Sequence, residues 1–288
     1  MYLTTFFKQR KSAMGRGNSQ LLIYSILFLV CAMLVSLPSR AEVQKIDGLE
    51  FNRVLVLGNA EVQITQGDRV ELKVRGSSSD LEKQPFFVKG DTLILGRDRK
   101  HQHNFSNLRF KLTVVDLEQL QLTGSGELYV KPLVVEDLYV SVDGSGEIKL
   151  FGVRGRDLSL TVSGSGEMQV VELDGVDVKI VVSGSGELYI GRMKAGRVKV
   201  SLAGSGDIAV QKKSETVELE INLAGSGDVD LENLEALAVE INIAGSGEAI
   251  VSAAEELDVH IMGSGAVYYR GSPNISQSIL GSGDVEPL

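Results

Sequence analysis

A chain of 288 residues with 29 Lys and Arg against 38 Asp and Glu has a formal charge of −9, which excludes capture of nucleic acid or anionic lipid by a basic field. Its 32 glycines stand beside only 5 prolines, and most are separated by Val, Ile and Leu, so they punctuate strands and are not a low-complexity linker. A single cysteine excludes a disulfide framework, and the absence of tryptophan removes the usual platform for stacking on sugars.

Residues 1–20 carry Lys8, Arg10, Lys11 and Arg16 with no acid, and Leu21 to Leu37 is an almost unbroken apolar run. With Ser39-Arg40-Ala41 at the cleavage positions, this is the layout of a secretory signal. The run also reaches the lower length of a membrane-spanning helix, so 1–41 reads as a signal peptide or, uncleaved, as an anchor touching the membrane only through residues 21–37. Cys31 follows Leu29 and Val30, not the small residues that a lipoprotein signal needs. Cleavage after Ala41 removes five cations (Lys8, Arg10, Lys11, Arg16, Arg40) and no acid, taking −9 to −14 and leaving a cysteine-free exported chain.

Residues 42–116 are expected to form a cap of divergent β-coils, with strands at Val54 to Leu57, Val62 to Thr65, Val70 to Val74, Phe86 to Val88 and Thr92 to Leu95. Gly58-Asn59-Ala60-Glu61 resembles a degenerate copy of a unit that recurs later, as a terminal repeat covering a stack end should. Arg97 to Asn107 is the one clearly polar, cation-rich loop. Its His101 and His103 are a weak metal signal, since a closed site needs three or four ligands, and the loop reads as solvated.

From 117 to 288 the chain is an array. Gly-Ser-Gly returns with its Ser at Ser125, Ser145, Ser165, Ser185, Ser205, Ser226, Ser246, Ser264 and Ser282, in steps of 20, 20, 20, 20, 21, 20, 18 and 18. In the unit Asp137 to Arg156, Leu138, Val140 and Val142 alternate with polar residues, the turn follows, and Ile148 and Leu150 resume the alternation before a break at Phe151 to Arg156. Propeller blades need about 40 residues and four strands, whereas a β-solenoid winds about 20 residues once round its axis and stacks like on like. The expected fold is therefore an all-β parallel β-helix of about 20 residues per coil, preceded by the signal or anchor helix.

The corner explains its own glycines. Coils less than about 5 Å apart leave no room for a Cβ at a sharp turn. That gives a structural role to Gly124, Gly126, Gly144, Gly146, Gly164, Gly166, Gly184, Gly186, Gly204, Gly206, Gly225, Gly227, Gly245, Gly247, Gly263, Gly265, Gly281 and Gly283, and stacked Ser hydroxyls could bond along the axis. The acid that follows is not required by the turn. Glu127, Glu147, Glu167, Glu187, Asp207, Asp228, Glu248 and Asp284 form a column broken at Ala266, either a solvated edge that discourages strand pairing or a line of oxygen ligands for a divalent cation.

The repeated L-x-[AS]-G-S-G-[DE]-x-x-[VLI], preceded by Leu117-Glu118-Gln119-Leu120-Gln121-Leu122-Thr123, resembles the bacterial family called putative autotransporter adhesin, head GIN domain, over about 45–285. The resemblance implies a right-handed parallel β-helix in an exported envelope protein, in the periplasm or at the cell surface of a Gram-negative bacterium. No membrane-barrel segment follows the array, so self-export is not expected. The expected function is a non-catalytic adhesin-like or structural module offering a repetitive face to a protein or glycan, without cofactor. The alternatives are a cation-binding scaffold or, more remotely, a polysaccharide-acting enzyme. The unbroken repeat, the lack of a Ser-His-Asp or Gly-x-Ser-x-Gly elbow context, and turns lacking the Lys-Ser/Thr of a phosphate cradle assign no catalytic residue.

Overall fold

The computed structural model describes residues 42–101, 103, 105 and 107–288, so the expected signal or anchor, 1–41, lies outside the described residues. Period-2 alternation turns every second side chain inward. In the strand Asp137–Gly144 the buried residues include Leu138, Val140 and Val142, and in Glu147–Leu150 they are Ile148 and Leu150. Each strand pairs in parallel with its equivalent one coil on: Asp137–Gly144 with Asp157–Gly164, and Glu147–Leu150 with the start of Glu167–Asp174. The fold is an all-β solenoid of about eight turns with about 20 residues per coil.

The structure corrects one part of the unit. The expected break at Phe151 to Arg156 contains a third strand, Val153–Arg154, parallel to Leu173 and Asp174, so each coil has a long, a short and a third side. The third side contributes its own inward column, Leu133, Val153, Leu173, Met193, Ser214 and Leu234, joined in the later coils by a second column that includes Thr216, Ala236 and Ala253, all buried. In the coils of Leu133, Val153 and Leu173 this side has one inward residue, so a period of two has nothing to alternate against, whereas the later coils add a second, as in Ser214-Glu215-Thr216 and Leu234-Glu235-Ala236. Ser214 is the polar member of the first column, and it is satisfied: its hydroxyl accepts from Met193 N at 2.8 Å and donates to Lys212 O at 2.7 Å.

The irregular steps are absorbed on the same side. Ile190 pairs with Val210, twenty residues on, but Lys194 pairs with Glu215, twenty-one on, so the extra residue falls between them. The first 18-residue step comes from register shifts between Leu231 and Glu235 and between Ala236 and Ala238. The long side and the Gly-Ser-Gly corner keep their register throughout, which holds the surface columns straight.

The N-terminal part runs β1 (Glu42–Asp47), β2 (Arg53–Gly58), β3 (Glu61–Gln66), β4 (Glu71–Gly76), the single turn α1 (Ser78–Leu81), β5 (Phe86–Lys89), β6 (Thr92–Leu95) and β7 (Arg109–Val114), before β8 (Gln119–Gly124) and β9 (Glu127–Val130) begin the array. Strands β2 and β3 form a coil in register with β8 and β9, Gly58 opposite Gly124 and Glu61 opposite Glu127. The chain then doubles back. Strands β6 and β7 add in parallel on the other flank of β2 and β3, and β4 and β1 follow antiparallel. Where the β2–β3 coil lacks a third strand, Gln66 substitutes for one: its Nε2 donates to Val115 O (3.0 Å) and Val134 O (2.9 Å), and its Oε1 accepts from Val134 N (2.9 Å).

Candidate functional site: corner, acidic column and long face

The corner is held by main-chain bonds between coils. Ser145 N donates to Gly124 O at 3.0 Å, Ser165 N to Gly144 O at 2.9 Å, and Glu147 N and Glu167 N to Gly126 O and Gly146 O at 3.0 Å. The first glycine of each turn lies in the left-handed region, for example at φ +122° for Gly144 and +99° for Gly164. A Cβ on Gly144 would stand 2.6 Å from Gly124 O, and one on Gly146 would stand 2.6 Å from Leu122 Cδ2 and 2.8 Å from Gly126 O. Backbone cannot yield there without breaking the ladder, so the turn excludes side chains on steric grounds alone. The hydroxyl ladder is absent: among the described residues no Ser of this column bonds the next through its side chain, and the inter-coil bonds of the corner are made by the backbone amides.

The acids after the turns stack in register. Glu127, Glu147, Glu167, Glu187 and Asp207 are successive partners, Asp207 faces Asp228, Asp228 faces Glu248, Glu248 faces Ala266 and Ala266 faces Asp284. Glu61 continues the column toward the cap, where Arg109 Nε meets it at 2.8 Å. Several acids are engaged by the side chain two residues on: Tyr129 donates to Glu127 at 2.9 Å, Gln169 to Glu167 at 2.6 Å, and Tyr189 to Glu187 at 2.8 Å. Each tyrosine is pushed up to about 12, Tyr129 chiefly by its bond to Glu127, Tyr189 chiefly by burial and then by its bond to Glu187. Like charges about 4.8 Å apart in water repel by roughly a kcal/mol or less per pair, which these donors offset. Among the described residues no three His, Cys, Asp or Glu side chains converge as a metal ion requires.

The loop after β6 is less solvated than expected. Asp98 and Phe105 are buried, and His103 Nδ1 lies 2.6 Å from Asp98 Oδ2. His101 is turned to Phe87, with ring centroids 5.8 Å apart. The two histidines of the His-x-His pair thus have separate partners, one a carboxylate and one an aromatic ring.

The outward columns of the long side form a surface ordered along the axis. Nearest the corner, Ser183, Ala203, Ala224, Ala244, Met262 and Leu280 are register partners, so this column passes from hydroxyl to apolar along the axis. Beside it run Val181, Ser201, Asn222, Asn242 and His260, with Asn242 Nδ2 donating to Asn222 Oδ1 at 3.3 Å. Beyond these stand Lys199, Glu220, Glu240 and Asp258, of which Lys199 Nζ and Asn222 Nδ2 both donate to Glu220 Oε1 at 2.7 Å. A shallow groove of about 420 Å³ lies along the first two columns, lined among others by Val181, Ala203, Asn222, Ala244 and Met262. Met262 and Leu280 are 62% and 74% exposed. The signal was present in the residue just before each Gly-Ser-Gly, which is Thr, Asp or Ser at first and Ala, Met or Leu later.

The family model for the putative auto-transporter adhesin, head GIN domain, matches residues 50–217 and 171–273, which together span the cap and most of the array. The chain belongs to this family. No curated relative matches the sequence of this head GIN protein. Among solved structures, it is similar to one described as a putative lipid binding protein from Parabacteroides distasonis, at 24% identity and a TM-score of 0.66, covering 86% of this chain and 96% of that one. It is similar also to a putative adhesin from Parabacteroides merdae at 19% identity and a TM-score of 0.64, with 86% and 96% covered. A putative adhesin from Parabacteroides distasonis aligns at 20% identity and a TM-score of 0.60, over 87% and 98%. At these identities the likeness establishes a shared fold.

Proposed function

We propose that this head GIN protein is an exported, non-catalytic module of the bacterial cell envelope, adhesin-like in role, that meets a protein or glycan partner through the long side of its solenoid. The carrying observation is the grading of that side: exposed apolar groups from Ala203 to Leu280, then an amide column, then a charged border, repeated with the coil spacing over several turns. Apolar contact flanked by bonding amides suits an extended partner, and a rim of charge supplies orientation. The short side carries the stacked carboxylates that keep the opposite flank of the corner hydrated. Family membership and the shared solenoid fold support an interaction role.

The test pairs a deletion strain with face variants. Attachment and aggregation should fall on deletion and fail to return with Ala224→Glu plus Ala244→Glu, whose side chains point outward and leave the core intact. Unchanged attachment in the deletion strain would end this reading.

A further inference from the structure

The first corner of the stack, Gly58-Asn59-Ala60, is met on its cap side by a loop and not by another Gly-Ser-Gly turn. Strands β6 and β7 lie on that flank of β2 and β3, and the chain between them is the segment 96–108. Gly96, at φ +83°, brings the segment in so close that a Cβ there would collide with Leu57 O. At its other end Leu108 O accepts from Glu61 N at 3.0 Å. Between these two contacts the loop and the corners Gly58-Asn59 and Gly124-Ser125 border a pocket of about 330 Å³.

The lining of this pocket differs from the rest of the corner column. Elsewhere the N–H after the first glycine is used between coils, as in Ser125 N to Gly58 O at 2.9 Å. Asn59 N holds that place in the first corner, and among the described residues no carbonyl accepts from it. Asn59 and Ser125 are exposed, and among the described residues neither side chain is hydrogen-bonded. Arg97 is exposed and, among the described residues, in no ion pair. His103 is held from behind: Nδ1 donates at 2.6 Å to Oδ2 of Asp98, a residue only 5% exposed. A buried carboxylate beside Nδ1 keeps the proton on that nitrogen and leaves Nε2 as the free ring atom. Leu57 and Phe105, whose ring centroid lies 6.2 Å from that of His103, supply an apolar wall.

We propose that this pocket binds a hexuronate sugar, with the carboxylate on Arg97 and His103 and the ring hydroxyls on Asn59 and Ser125. A guanidinium fork meets a carboxylate with two parallel hydrogen bonds. The charge balance selects a monoanion: Arg97 brings one positive charge, and the Asp98 carboxylate behind His103 opposes the second negative charge that a phosphate would carry. The volume is at the small end of ligand sites yet larger than a bare acetate fills, and a free amide, a free hydroxyl and an unmatched N–H are groups that bond sugar hydroxyls. The site is coils away from the long-side columns of Ala203 to Met262, and it stands or falls independently of them.

The test is isothermal titration of the full chain in mild detergent with sodium D-glucuronate and sodium D-galacturonate, against D-galactose and inorganic phosphate at the same ionic strength. At least one uronate should bind at millimolar concentration, with galactose and phosphate about tenfold weaker or more. Arg97→Ala should weaken the uronate by about tenfold and Ser125→Ala by about threefold, the losses expected for a charged and a neutral hydrogen bond. Ser145→Ala, the same change one coil on and outside the pocket, and Arg99→Ala, whose guanidinium lies over the Phe87 ring, should leave the affinity unchanged. The imidazole proton resonances of His103, assigned with His103→Gln, should move with the uronate and not with galactose. No uronate binding, equal binding of phosphate or galactose, or an affinity indifferent to both Arg97→Ala and Ser125→Ala would each overturn the proposal.

Discussion

Replacing Gly164 with alanine should unfold the middle of the solenoid far more readily than replacing its neighbour Ser165. Gly164 sits at φ +99°, and a Cβ there would stand 2.6 Å from Gly144 O and 3.4 Å from Gly144 C and Cα. Holding a non-glycine residue in such a conformation costs about 1–3 kcal/mol. Pushing aside a backbone carbonyl that already accepts from Ser165 N at 2.9 Å adds an overpacking cost of about 1–3 kcal/mol. The entropy that alanine removes from the unfolded chain returns at most about 1 kcal/mol. The net loss is on the order of 2–5 kcal/mol, a fall in melting midpoint of roughly 5–20 °C for a unit of this size. Ser165→Ala removes an exposed hydroxyl that makes no side-chain bond, and should stay within about 0.5 kcal/mol. Thermal melting by far-ultraviolet circular dichroism, with hydrogen exchange at the neighbouring coils, measures both. Equal midpoints for the two variants would refute the steric account of the corner.

Four further outcomes follow from the geometry. Ile180→Ala, at a fully buried position of the long-side column, should cost about 2–5 kcal/mol by denaturant titration. Arg156→Ala should cost less than about 1 kcal/mol, although its guanidinium reaches both Asp137 (3.0 Å) and Asp157 (2.9 Å), because the pairs are exposed; a larger loss would show that the charge ladders stabilise the stack. Glu71 is held at about 2 by hydrogen bonds from Lys45 and then Lys73, so its contribution is present above its ordinary carboxylate value and is lost as pH falls toward 2. Exchange protection of β1 should therefore drop at acid pH before that of the array. Tyr129 and Tyr189, raised to about 12, stabilise the fold fully below the ordinary tyrosine value of about 10 and cease to do so as pH rises through 12. Spectrophotometric titration should show Tyr129 and Tyr189 ionising late, with Tyr129, whose shift comes chiefly from its bond to Glu127, moving back toward the ordinary value in Glu127→Gln while Tyr189, held up chiefly by burial, stays late.

The parts of the fold set by repetition were legible in the residues. The 20-residue step of Gly-Ser-Gly, with aliphatic columns such as Leu138, Leu158, Val178 and Val198, specifies stacked coils because side chains in register must be alike to pack. Gly58-Asn59-Ala60-Glu61 is in register with the true corners. The third side was not legible, since Val153 and Leu173 are single inward residues between bends and have no alternation around them. Nor was the doubling back of β6 and β7, because outward growth and onward growth of a coil use the same strand pattern. The burial of Asp98 depends on a partner five residues away, His103, in a loop whose composition looks fully solvated. The long-side surface is not legible within one coil, where the residue before Gly-Ser-Gly is a single solvent-facing side chain; only along the axis is the change from Asp143 and Ser163 to Ala224 and Met262 ordered.

Envelope attachment in a deletion strain measures most directly whether the long side is the contact surface. Complementation with the wild-type gene and with Glu147→Gln plus Glu167→Gln should restore attachment, while Ala224→Glu plus Ala244→Glu, exported and folded to the same level, should not. Full restoration by the Ala224/Ala244 variant, or loss only in the Glu147/Glu167 variant, would contradict the account and move the function to the acidic column.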